Sequence, residues 1–149
     1  MAGAADRPVE PGTVIRYSYL WADEAARGRE EGRKDRPSLV IAVAIQATHG
    51  TFRVLVLAVT HTTPREADDA VRLPARVKRA LGLDHAPAWI VTTEANAFTW
   101  PGPDLRSIRG RTSRTVVYGR VPTRVLRDAV RSYLANRHRQ RGRVVARTS

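Results

Sequence analysis

Ten residues, Arg36-Pro37-Ser38-Leu39-Val40-Ile41-Ala42-Val43-Ala44-Ile45, restrict the fold of this chain more than any other stretch. A run this apolar and β-branched, opened by Pro37 and followed by the turn signal His49-Gly50, reads as a buried strand rather than a helix. A second run, Phe52 to Thr60, comes directly after the turn, so the two are expected to pair as an antiparallel hairpin. Pairing brings Arg36, just before the first strand, and Thr60, at the end of the second, to the same end of the sheet. A fixed guanidinium beside a hydroxyl is a phosphate-handling pair, and it forms the first candidate site.

The flanking sequence fills in around that hairpin. Gly12 to Leu20 alternates loosely and predicts a first strand. Trp21 to Asp35 holds four bases, five acids and two glycines. It reads as a long connection with room for one helical turn around Asp23 to Arg27, and long loops between strands tend to be functional. Thr62 to Asp69 is a loop and Ala70 to Leu73 a short strand. Pro74 at a first helical position and Gly82 just past Leu81 bracket a short inserted helix over Ala75 to Leu81. Ala88 to Thr93 predicts a fifth strand, Asn96 to Asp104 a rigid loop carrying aromatics, and Thr115 to Val121 a last strand. Thr123 is the expected N-cap of a C-terminal helix whose apolar positions, Val125, Leu126, Ala129, Val130, Tyr133 and Leu134, recur at helical spacing. Strands first and a covering helix last is an α+β pattern, with a mainly antiparallel sheet curled into a small barrel.

A length of 149 residues suits one domain with a real core. Residues 1–10 are expected to be a flexible leader, 11–136 the folded domain, and 137–149 a basic C-terminal tail. No apolar run is long enough for a transmembrane helix, and the first ten residues lack the apolar core of a signal peptide. The absence of cysteine excludes disulfides and thiolate metal sites and suits a cytoplasmic setting. Charge is the compositional anomaly: 26 Lys and Arg face 14 Asp and Glu, a net +12. Codon bias accounts for a preference for Arg over Lys, but not for the excess itself, which points to a polyanionic partner.

The order Pro11-Gly12-Thr13-Val14-Ile15, a polar loop, Arg36-Pro37-Ser38-Leu39-Val40-Ile41 and then Leu57-Ala58-Val59-Thr60 resembles the PemK/MazF-type toxins of bacterial toxin–antitoxin systems. A strand like Trp89-Ile90-Val91 and a helix like Thr123 to Leu134 follow there in the same order. The resemblance implies an SH3-like antiparallel β-barrel with a short inserted helix and a C-terminal helix. It also implies a homodimer that cleaves single-stranded RNA without a metal or other cofactor, under the control of an antitoxin protein. In that family the Arg before the central strand and a Thr closing the next strand serve the scissile phosphate, roles that fall on Arg36 and Thr60. Glu94 holds the family's acidic position after the fifth strand, while Thr92 stands where many members carry an Arg.

Metal-free RNA cleavage needs a base for the 2′-hydroxyl, an acid for the 5′-oxygen, and positive charge on the phosphorane. Arg36 is the candidate for the charge and for proton transfer. Thr60 is the candidate hydrogen-bond donor, with Thr62 and Thr63 close enough to share that role. The base is left between Glu94 and His61, since imidazole titrates near neutrality. Asn96, Phe98 and Trp100 are candidates to read and stack bases, and Arg33 and Lys34 to bind backbone. The histidines show no metal-ligand spacing, so no metal site is expected. Two other classes remain open: a non-catalytic toxin that acts by binding protein, as the gyrase poisons of this fold do, and an RNA- or DNA-binding barrel without activity.

Overall fold

The computed structural model describes residues 8–26, 28, 35–46, 50–100, 105–106, 108, 115–139 and 143–147. At its centre the two apolar runs form the expected hairpin, β2 (Asp35–Gln46) against β3 (Thr51–Thr60). The ladder is regular from Ser38↔Ala58 to Val40↔Val56, then shifts so that Ala42 faces Leu55. Ile41 is thus the extra residue of a β-bulge, which breaks the ladder locally and bends the strand. Ser38, Leu39 and Val40 are fully buried, whereas Ala42, Ala44 and Ile45 are exposed. The buried strand read from the sequence is therefore buried only before the bulge.

The other strands add to both edges of the hairpin. β1 (Thr13–Ser18) pairs with β2 through Val14↔Leu39 and Tyr17↔Arg36, and β7 (Val117–Arg120) pairs with β1. On the far side, β3 is shared by two strands. Its last residues pair with β5 (Ala88–Val91), and Phe52 to Val56 pair with β6 (Glu94–Trp100). β4 (Ala70–Leu73) extends β5, and β8 (Arg143–Ala146) lies parallel to β6. Among the described residues the order is β4-β5-β3-β2-β1-β7, with no pairing between its two ends. The fold is α+β as expected, but its sheet is open, so the curled barrel is not closed.

The helices follow local chemistry. α1 (Ala22–Ala26) is the turn expected inside the polar stretch. α2 (Ala75–Leu81) stops at Gly82, whose φ of 72° is cheap only for glycine and lets its N–H reach Arg79 O. α3 (Thr123–His138) begins one residue after its N-cap, which is Pro122 rather than Thr123, and no side chain caps it.

Two assignments need correction. Asn96 to Trp100 is not loop but part of β6: Asn96, Phe98 and Trp100 sit at period two, and β-favouring aromatics suit a strand. Nor does the domain end at 136 with a basic tail at 137–149. α3 runs on to His138, and Val144-Val145 give the basic segment the apolar pair with which β8 joins β6.

Alternation along the strands sorts the core into two layers. Leu39, Leu57 and Val59 point to the face covered by α2 and α3, where Val77, Leu81, Val125, Ala129 and Tyr133 meet them. Val40, Val54, Val56 and Ala58 point the other way, onto Tyr17, Tyr19 and Phe98.

Candidate functional site

Arg36 and Thr60 each lie two residues beyond the Ser38–Ala58 pair, so the hairpin delivers them to one end of the sheet. Both line one open groove of about 360 Å³. Trp21, just ahead of α1, supplies the groove's aromatic wall: the Arg36 guanidinium lies over its ring at 5.1 Å from the centroid. Tyr19 meets Trp21 edge-on at 4.9 Å and holds that ring from behind. Burial pulls the half-buried Arg36 guanidinium below the ordinary arginine range, and the charge of Glu24 on α1 opposes the pull. Arginine stays cationic under both influences.

The rim of the groove is polar. Thr60 Oγ1 accepts the Thr62 N–H at 3.2 Å, so the loop after β3 folds back over the strand end. Thr62, Thr63 and Arg65 continue from there, and Asp69 contributes a carboxylate. Asp69 also accepts the Glu66 N–H at 3.3 Å, closing the 3₁₀ turn Ala67–Asp69. The back wall runs through Val91 and Thr93, with Thr92 buried between them and tied to α3. Thr92 Oγ1 sits 2.7 Å from Ser132 Oγ, and Asn136 donates to Thr92 O at 3.1 Å and Asp68 O at 2.9 Å. α3 thereby fixes the floor on which the groove rests.

Arg36 and Thr60 also border a second groove of about 290 Å³, which holds His61, Lys78, Asp84 and Tyr118. His61 places Nδ1 2.8 Å from Pro87 O and Nε2 2.9 Å from Asp84 Oδ2. Both ring nitrogens are engaged with acceptors on the loop after α2. His61 is thus placed as a clamp on the loop after α2, not as a base. Burial pushes the Asp84 carboxyl up, but the Lys78 hydrogen bond, the His61 charge and the Ala86 N–H outweigh it and leave it below the ordinary aspartate range.

The other sequence candidates are used elsewhere. Glu94 does not line the Arg36 groove; its Oε2 accepts the Ala22 N–H at 2.8 Å and faces the Tyr19 hydroxyl at 3.4 Å. Burial first, and Glu94 second, raise the Tyr19 phenol well above its ordinary range, so it remains a neutral donor. Asn96 is fully buried, receiving the Leu20 N–H at 2.8 Å and donating to Leu20 O at 2.7 Å, so it has no face to offer a base. Phe98 is buried and stacked on Tyr17 at 4.6 Å, and the half-buried Trp100 packs behind it. Base reading by Asn96 and stacking on Phe98 are therefore withdrawn. Arg33 and Lys34 lie outside the described residues. Arg36, Thr60 and Thr62 do come together.

Trp21, Arg65 and Asp69 are the groove residues that the sequence reading passed over. A tryptophan at the mouth of a charged loop, and the Arg that follows Thr62-Thr63-Pro64, were the available signals. Among the described residues, no group of three or more His, Asp or Glu is arranged to hold a metal ion. No protein-family model, curated protein or solved structure matches the chain.

Proposed function

We propose that the Arg36 groove binds single-stranded RNA and cleaves one of its phosphodiesters, as an endoribonuclease of the toxin type. The observation that carries this reading is the shared groove of Arg36 and Thr60, walled by Trp21 and rimmed by Thr62 and Arg65. Two guanidinia and four threonine hydroxyls suit phosphate oxygens, and the Arg36 guanidinium laid over the Trp21 ring offers a plane on which a base can stack, an interaction worth about 1–3 kcal/mol. In this reading Asp69 takes the base role that Glu94 and His61 do not fill. It removes the 2′-hydroxyl proton as that oxygen attacks phosphorus; the bond to the 5′-oxygen breaks, and water protonates the leaving oxygen. Arg36 stays charged and balances the phosphorane. The products are a 2′,3′-cyclic phosphate and a 5′-hydroxyl. The family resemblance adds an SH3-like barrel, a homodimer and a controlling antitoxin to the same reading.

Purified protein is expected to cut a single-stranded RNA oligonucleotide in the presence of EDTA. Arg36→Ala should abolish cutting while the unfolding curve stays within about 1 kcal/mol of the parent. Full activity in Arg36→Ala would end the proposal. The engagement of Glu94 and His61 in structural bonds favours one second reading, an RNA-binding protein without cleavage. That reading predicts salt-sensitive binding lost in Arg36→Ala and no cleaved product with the parent.

A further inference from the structure

We infer that Arg147 is a positioning residue for the Arg36 groove, acting through residues 17–20 to hold the Trp21 ring beneath the Arg36 guanidinium. This role rests on the proposed reading of the groove as an RNA site. Arg147 directly follows β8, and its N–H donates to Ala97 O at 2.8 Å, so the β6 backbone fixes where it stands. Its side chain is buried and crosses to β1 instead of reaching solvent. There Nη1 donates to Ser18 O at 2.7 Å, Tyr17 Oη at 3.1 Å and Asn96 Oδ1 at 3.3 Å. The guanidinium also lies 5.5 Å from the centroid of the Tyr17 ring. Converging acceptors hold a planar guanidinium in one orientation, because each of them left alone in the interior costs its desolvation.

The anchored segment leads straight to the groove. β1 ends at Ser18 and α1 starts at Ala22, so Tyr19, Leu20 and Trp21 belong to neither element. Backbone groups in such a stretch still need partners, and here side chains distant in sequence supply them. Arg147 takes the Ser18 carbonyl. Asn96, itself a partner of Arg147, accepts the Leu20 N–H at 2.8 Å and donates to Leu20 O at 2.7 Å. Glu24 then accepts the Trp21 N–H at 3.2 Å, and Glu94 the Ala22 N–H at 2.8 Å. Trp21 therefore stands between two anchors, the Arg147–Asn96 junction before it and the glutamates of the α1 start after it. A second link is shorter. Tyr17, whose hydroxyl and ring both meet Arg147, is the direct cross-strand partner of Arg36. Both members of the Arg36–Trp21 stack are thus one or two contacts from the Arg147 guanidinium.

The test compares Arg147→Met with Leu81→Ala, which loses packing on the helix side, both in the full chain at a temperature where each is folded. The first readout is the Arg36 side-chain Nε–H resonance, which the Trp21 ring shifts upfield in the parent. It should move toward the position of an exposed arginine in Arg147→Met and stay in place in Leu81→Ala. Arg147→Lys, which keeps the charge and three donors, should recover part of the shift. The second readout is cleavage of a single-stranded RNA oligonucleotide. Its kcat should fall about tenfold in Arg147→Met and by less than about twofold in Leu81→Ala. If the parent neither binds nor cuts RNA, the nuclease reading fails, and the Arg36 resonance alone decides the positioning role. An unmoved resonance in Arg147→Met overturns that role, as does equal movement in Leu81→Ala or no recovery in Arg147→Lys. Unchanged kcat in Arg147→Met from an active parent overturns it too. If Arg147→Met fails to fold, native-state hydrogen exchange of the parent decides: the Leu20 and Trp21 amides should open together with the Arg147 amide. Leu20 and Trp21 staying protected after Arg147 opens would overturn it equally.

Discussion

The two faces of the sheet are held by different physics. The face under α2 and α3 is mainly aliphatic, and its buried polar groups are Lys78, answered by Asp84 at 3.1 Å, and the Thr92–Asn136 pair beneath α3. The opposite face is aromatic, and a buried polar junction ties it together. Arg147 donates to Tyr17 Oη at 3.1 Å, Ser18 O at 2.7 Å and Asn96 Oδ1 at 3.3 Å, while Asn96 holds the Leu20 backbone from both ends. One face packs by volume and tolerates similar shapes. The other packs by direction and tolerates few, because a buried donor left alone pays its full desolvation cost. The directional face is also the one that continues, through Tyr19 and Trp21, into the Arg36 groove.

The contrast breaks most visibly at Phe98. Phe98→Ala removes the ring stacked on Tyr17 and is expected to cost about 3–5 kcal/mol in urea unfolding, against about 2–5 for Leu81→Ala on the helix side. Asn96→Ala comes next, at about 2–3 kcal/mol, because it strands the Leu20 N–H and carbonyl in the interior. Asn96→Asp should not restore stability, since the carboxylate lacks the donor that Leu20 O needs. A loss below about 0.5 kcal/mol for Asn96→Ala would show that the junction is decoration.

Asp84 probes the Lys78 contact of the helix side. Its folded-state carboxyl lies below the ordinary range, so its contribution is present at neutral pH and is lost as pH falls through that lowered value. Asp84→Asn should therefore cost about 0.5 kcal/mol at neutral pH, because solvent screens a carboxylate whose side chain is 61% exposed, and nothing at pH values below that range. Equal losses at both pH values would show that the effect is steric. Trp21→Phe should have the smallest effect on stability. It trades a strong cation–π partner of Arg36 for a weaker one, about 0.5 kcal/mol or less, and should weaken RNA binding more than it alters unfolding.

These same two faces differ in how far the sequence disclosed them. The hairpin, α2 with its Gly82 stop, β4, β5 and most of the periodic face of α3 were legible, because each rests on local signals within about ten residues; Leu134, expected on that face, is exposed. The partnership of Arg36 and Thr60 was legible for the same reason: a two-strand register fixes it. The aromatic face was not. Its junction joins residues 17–20, 96 and 147, and pairing across such separations leaves no periodic trace. Asn96 and Phe98 were read as a loop's binding residues because nothing local reveals that β8 covers β6. Glu94 is a candidate base through the family resemblance, yet its partners in the structure are the Ala22 N–H and the Tyr19 hydroxyl. Asp69 was hidden by the acidic loop around it, which gave no reason to prefer it to Glu66 or Asp68.

The extra residue at Ile41 divides the central ladder into two lengths with separate registers. The outer length keeps a continuous ladder from Ala42↔Leu55 to Gln46↔Thr51, with Ala42, Ala44 and Ile45 in solvent, while the inner length holds its own alignment. A one-residue slip of the outer ladder would therefore leave the end that carries the guanidinium and hydroxyl in register, much as a flexible coupling spares a shaft.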